Sequence, residues 1–204
     1  MSSRGRLLAT LAVGCVGALA AAPAEAASTC ADAESPASGQ SVGQVERSVH
    51  CLVNQERTKA GIAQVRPNKK LGSAASRHSN DMLSGGFFSH TSPAGDSFID
   101  RITATGYMRG ARSWLVGENL VWGSRERSTP ASMVAAWMDS PTHRANLLRS
   151  RFREIGISAV RGTPSQARNG EGVIVSSEYG YRDIRSSKKS RKASHNAKGS
   201  RKAK

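Results

Sequence analysis

The chain has 204 residues, with 30 Lys and Arg against 15 Asp and Glu and a formal net charge of +15 at pH 7. That length supports one domain with a real core, and the apolar run of sixteen residues from Leu7 to Ala22 is too short to span a bilayer. The charge gathers at one end: from Arg182 to Lys204 there are ten Lys or Arg against one acid, Asp183, so overall basicity is no argument for specific nucleic-acid binding.

Arg4 and Arg6 precede the apolar run, and Ala24-Glu25-Ala26 follows it and fits the small-x-small cleavage rule. Residues 1–26 are therefore read as a signal peptide, which leaves an exported chain of 178 residues. Cys15 lies inside the run, but Leu-Ala-Val-Gly-Cys is a poor lipobox and the run continues past it. Export by cleavage is the expected route. Two cysteines then remain, Cys30 and Cys51, and an even count in an exported protein predicts a disulfide.

Residues 27–43 are rich in Ala, Ser, Pro and Gly and read as a linker. From Val45 the period becomes helical, with Val45, Val49, Leu52 and Val53 on one face and Gly61 as the stop. After Pro67-Asn68 a second helix is predicted over LGSAASRHSNDMLSGG, with Leu71, Ala74, Ala75, His78 and Met82 on one stripe. His78 there reads as a core or boundary histidine. In FFSHTSPAGDS, Phe87 and Phe88 are expected to anchor the chain in a core just before His90 enters a polar turn, which makes His90 a candidate cleft residue. Asp96 or Ser97 caps a short third helix, FIDRITATGY.

WLVGENLVWG alternates around Glu118-Asn119, and an acid in that setting needs a charge partner, a metal or several N–H donors. Thr129-Pro130 opens a fourth helix with Met133, Val134 and Trp137 inward and Asp139 near its end. Ser140-Pro141 opens a fifth, with the Ser140 hydroxyl as cap and His143 in the first turn, where the helix dipole disfavours protonation. Alternation follows: Ile155, Ile157 and Ala159 face one way, Phe152, Glu154, Gly156 and Ser158 the other. GVIVSSEYGY reads as a closing strand, and 182–204 as a disordered basic tail. One α+β domain over 44–181 is the result.

No GxSxG elbow, HExxH, Walker loop or paired CxxC is present. The chemistry rests instead on two histidines and two acids. GGFFSH, VGENLVWG, AAWMDSPTHRANLL and FREIGISAV, in that order, resemble the CAP superfamily of SCP-domain proteins, most closely its compact bacterial branch, over roughly Val45 to Gly180. The resemblance implies an α–β–α sandwich, with a three- or four-stranded antiparallel sheet between helices. It also implies a cleft tetrad of His90, Glu118, His143 and Glu154, with Asp139 as the alternative fourth member, and zinc or another divalent cation held by His90, His143 and Glu118. Thr142 stands where the family motif has glycine.

Two imidazoles and a carboxylate can form an open zinc site. The same groups can also bond to one another and tie helices to the sheet. The first functional expectation is a secreted monomeric binding module at the cell wall or surface. Its tail would meet anionic wall polymers or lipid headgroups, and its cleft a small molecule, lipid or metal. The alternatives are a metal-dependent, peptidase-like hydrolase with Glu154 as general base, and lipid carriage in a groove between helices.

Overall fold

In the computed structural model, which describes residues 30–165 and 172–184, the first regular helix, α1, covers Val42–Lys59 and starts at a reciprocal cap. The Ser41 side chain accepts from the Gln44 amide while the Gln44 side chain accepts from the Ser41 amide. A two-residue strand β1 (Arg66–Pro67) leads into α2 (Lys69–Gly85), which Asn68 caps and which Gly86 stops in the left-handed region at φ 66°. Then come α3 (Phe98–Ala104), β2 (Ala111–Ser124), a 3-10 turn, α4 (Pro130–Asp139), α5 (Pro141–Leu147), β3 (Glu154–Arg161) and β4 (Gly172–Ile184). The Ser140 hydroxyl makes no capping bond to α5 and meets the Thr142 hydroxyl instead.

The strands lie in the order β1-β3-β4-β2. The two long pairings, β2 with β4 and β3 with β4, are antiparallel, whereas β1 runs parallel to β3. The sheet is therefore mixed, not purely antiparallel as expected. The exception is short because β1 is only the crossing point between α1 on one face and α2 on the other, and it ends at Pro67, which has no amide to donate.

Alternation sorts the layers. Ile155, Ala159, Val173, Val175 and Tyr179 pack with Val45, Val49, Val53, Met133, Trp137 and Leu147, so α1, α4 and α5 cover one face. On the other face Leu71, Ala74, Ile102 and Tyr107 form one cluster and Met82, Leu120 and Ile174 another, under α2 and α3. The chain is an α+β sandwich with the sheet in the middle. Phe152 departs from the expected alternation: it precedes β3 and stacks on Tyr179 at 5.4 Å, on the α1 side.

Two features fix the spacing of these layers. A Cβ added at Gly156 would lie 2.0 Å from the Gly72 amide nitrogen, so α2 can sit this close to β3 only because residue 156 has no side chain. On the opposite face Arg57, fully buried, donates to the carbonyls of Ala63, Leu147, Arg149 and Phe152. One guanidinium thus fixes the connection between α5 and β3 to α1.

Residues 30–41, part of the stretch read as a linker, are packed: Cys30, Ala33, Ala37 and Gln40 are buried, and the Ala37 amide donates to the Ser128 hydroxyl at 3.2 Å. The Cys30–Cys51 disulfide joins this segment to α1. The signal peptide and the tail beyond Ile184 lie outside the described residues. No helix among those described is long and apolar enough to cross a membrane. Closing a loop of about 20 residues stabilises by about 3 kcal/mol, so a Cys30→Ser/Cys51→Ser chain should unfold at a correspondingly lower urea concentration, as read by far-UV circular dichroism.

Candidate functional site

Glu118 sits on β2, directly across from Glu178 of β4, and its side chain is 1% exposed. Burying a carboxylate there is costly unless every lone pair finds a donor. Arg101 of α3, 3% exposed, places Nη2 2.7 Å from Glu118 Oε2. His90 Nδ1 donates to Glu118 Oε1 at 2.7 Å. Burial pushes the Glu118 pKa up, but the His90 hydrogen bond, the Glu178 contact and the Arg101 charge outweigh it and hold the acid below its usual range.

Arg101 does two things at once. The same Nη2 donates to the His90 carbonyl at 3.0 Å, and Nη1 donates to the Asp96 carbonyl at 2.9 Å. The loop carrying His90 is thus fixed at its backbone as well as through its ring. His78 adds a third fixing point: it is buried, and its Nε2 donates to the Ser89 carbonyl at 2.8 Å. Burial is the main cause that lowers its pKa and keeps the ring neutral. The neighbouring Phe87 packs into the core as expected, but Phe88 points outward and is 41% exposed.

His143 comes from the other layer. Asn119 follows Glu118 in β2 and so faces the opposite side of the sheet; its Nδ2 donates to the His143 carbonyl at 2.9 Å. Asn146, one turn further along α5, donates to the Glu118 carbonyl at 3.1 Å and to Asn119 Oδ1 at 3.2 Å. Gly117 leaves room for this contact, since a Cβ there would lie 3.0 Å from Asn146 Oδ1. Because β2 is an outer strand of the sheet, His90 from one layer and His143 from the other meet around it, with ring centroids 6.5 Å apart. Burial, then the neighbouring His90, lowers the His143 pKa.

Three of the four predicted tetrad members therefore come together, and the fourth does not. Glu154 lies in a separate network, where it accepts from Tyr107 at 2.7 Å, Asn68 at 2.7 Å and Arg182 at 3.2 Å. Tyr107 can reach it because residue 180 is glycine: a Cβ there would lie 2.3 Å from the Tyr107 hydroxyl. The alternative, Asp139, is exposed at the end of α4, and no hydrogen bond or ion pair among the described residues joins it to the site. Of the expected metal ligands His90, His143 and Glu118, each Glu118 oxygen already accepts a hydrogen bond, and no group of three or more His, Cys, Asp or Glu among the described residues is arranged to hold a metal ion. Glu118 stands behind His90 as an orienting partner of its ring.

Sequence reasoning missed Arg101 and Glu178. Glu178 is fully buried, and its two oxygens meet no donor among the described residues. Burial, reinforced by the Glu118 charge, raises its pKa far above the ordinary carboxylate value. That shift favours the neutral acid beside the Glu118 carboxylate opposite. Its signal in the sequence was an acid in a strand of small and apolar residues, VIVSSEYG.

A raised native pKa means the folded chain binds more protons than the unfolded one, so this acid costs stability increasingly as pH rises above the unfolded value, about 1.4 kcal/mol per unit while Glu178 stays protonated. Glu178→Gln removes that slope. Urea midpoints of the variant should rise relative to wild type between pH 5 and pH 8, and an unchanged difference would mean that Glu178 ionises normally.

A family model described as the cysteine-rich secretory protein family, CAP, matches residues 51–179. The uncharacterized protein YkwD of Bacillus subtilis is 34% identical over 139 residues, which is 68% of this chain and 50% of YkwD. An outer surface protein of Borrelia burgdorferi superposes with a TM-score of 0.58 at 18% identity, covering 71% of this chain and 97% of that one. An extracellular SCP-domain protein of Bacillus anthracis superposes at 0.54 and 23% identity, covering 71% of this chain and 41% of that one. At those identities the superpositions speak for the fold alone. With its four sequence blocks, its sandwich and the family model in agreement, the chain belongs to the bacterial CAP, or SCP-domain, family.

Proposed function

We propose that the protein is an exported, surface-associated binding module whose ligand is engaged by His90 and His143. One observation supports this reading: the Glu118 carboxylate, buried and bonded through one oxygen to Arg101 and through the other to His90, positions an imidazole at the surface. His90, with a side chain 53% exposed, and the half-buried His143 can accept or donate one hydrogen bond each, or hold zinc or another divalent cation between them. A hydrolase that uses Glu154 as general base draws no support from this arrangement, since that acid accepts three hydrogen bonds in a network of its own. Export draws support from the signal-peptide pattern and the Cys30–Cys51 disulfide. The descriptions of two structural relatives as outer-surface and extracellular proteins point the same way. Between Arg185 and Lys204 the sequence holds nine Lys or Arg and no acid, which suits an anionic wall polymer or lipid headgroup.

Zinc titrated calorimetrically into the full, metal-stripped chain should bind at one site that is lost in His90→Ala/His143→Ala and retained in Glu154→Ala. Heat that is unchanged in the double variant would remove the cation from this reading. Binding of the full chain to isolated anionic wall polymer should fall steeply as salt rises. It should also fall when the nine basic residues of 185–204 are changed to Gln, and equal binding by that variant would remove the tail from the reading.

A further inference from the structure

The end of the sheet away from the 3-10 turn after β2 gathers groups that the cleft does not use. Trp114 of β2 pairs across the ladder with Arg182 of β4, so their side chains share a face, and Ile184, two residues beyond Arg182, shares it too. Trp114 is 44% exposed and Ile184 49% exposed. Arg109 and Arg112, both exposed, enter β2 just before the tryptophan. The Arg182 guanidinium lies 4.5 Å from the Tyr107 ring centroid and donates to the Tyr107 carbonyl at 2.9 Å, so this cation is held in place. The nearby acid Glu154 is already consumed by Tyr107, Asn68 and Arg182. One residue after Ile184 the sequence begins its run of nine Lys and Arg.

We propose that this face, centred on Trp114 and Ile184 with the exposed Arg109 and Arg112 beside Trp114 in the sequence, docks on the surface of a bilayer rich in anionic phospholipid. It rests on the reading that the chain works at an anionic surface, and it names that surface. The choice of a bilayer over a hydrated polyanion comes from the apolar pair. Arginines suit any phosphate, but an indole and a branched alkyl side chain left in water gain only where hydrocarbon can receive them. Tryptophan settles at the headgroup level, with arginine stems lying along it and their charged ends at the phosphates. Attachment of this kind lies on the membrane without crossing it, and two weak signals, an apolar wedge and a polybasic segment, together give what neither gives alone.

The test uses the full, disulfide-bonded chain and vesicles of phosphatidylglycerol and phosphatidylcholine in equal parts. In a Trp122→Phe background, the part of the indole emission that is lost on Trp114→Phe, as distinct from that of the buried Trp137, should shift to the blue on adding these vesicles and be quenched by a lipid-borne quencher. Trp114→Ser/Ile184→Ser should weaken co-sedimentation about tenfold, with the circular dichroism spectrum unchanged because both positions are exposed. Unshifted emission, or equal co-sedimentation by the double variant, would overturn the proposal, even if the nine-Gln tail variant loses binding and so upholds the tail. Loss in the double variant with none in the tail variant would uphold this face and remove the tail instead. Equal binding to soluble poly(glycerol phosphate) by wild type and the double variant, with no emission change on vesicles, would assign the charges to a polymer and also overturn it.

Discussion

The carboxylate of Glu118 is the constraint on which the site depends. A charge that is 1% exposed is tolerable only when fully paired, and losing one partner of such a pair costs about 3–5 kcal/mol. The pairing therefore dictates where other elements go. It draws α3 inward through Arg101, holds the loop after α2 through the His90 ring and backbone, and raises the pKa of the Glu178 acid across the ladder. The exposed part of the site, the two imidazoles, is the outer surface of this buried arrangement. A carboxylate used in this way behaves as scaffolding for a histidine.

A second arginine does comparable work with no acid at all. Arg57 is as buried as Arg101, yet among the described residues it meets four carbonyls and no carboxylate. Burial is the main cause that lowers its pKa, and the guanidinium keeps its charge because its intrinsic value is so high. Lysine, with one nitrogen and no planar fork, could not reach the same set. The two arginines divide the molecule: one fixes the frame on the α1 side of the sheet, the other the site on the α3 side.

Much of this was legible in the chain. GGFFSH, GEN and THRANLL named His90, Glu118 and His143, and the spacing of polar and apolar residues put Glu118 on a strand, His143 on a helix and His90 in the turn after one. The two cysteines were paired on compartment logic alone. What stayed hidden depends on neighbours that are distant in sequence. Nothing local to FIDRITA marks Arg101 as the partner of an acid 17 positions later, and the acid in VIVSSEYG meets Glu118 only once β4 is known to lie against β2. The motif of Glu154 was read correctly as a strand, but Tyr107 and Arg182, reaching it from other elements, bond its side chain away from His90 and His143. Composition misled at 30–41, where Ser, Pro and Ala read as a linker although a disulfide and four buried side chains hold the segment down. Phe88 was over-read, since a hydrophobic pair does not say which member faces in.

The sheet order has a consequence for how the molecule comes into being. The central ladder joins β2 to β4, pairing Glu118 with a residue sixty positions later, and α4, α5 and β3 must be made and placed in between. Pairings of that span close late, because the entropy of the intervening chain is lost before any contact repays it. Until β4 arrives, Glu118 has no Glu178 across from it, β3 has no partner on that side, and β2 presents two bare edges. A chain entering an oxidising compartment from its N-terminus would have Cys30 and Cys51 in place long before that final strand, so the disulfide can hold the first helix while the rest of the sheet waits for its last member.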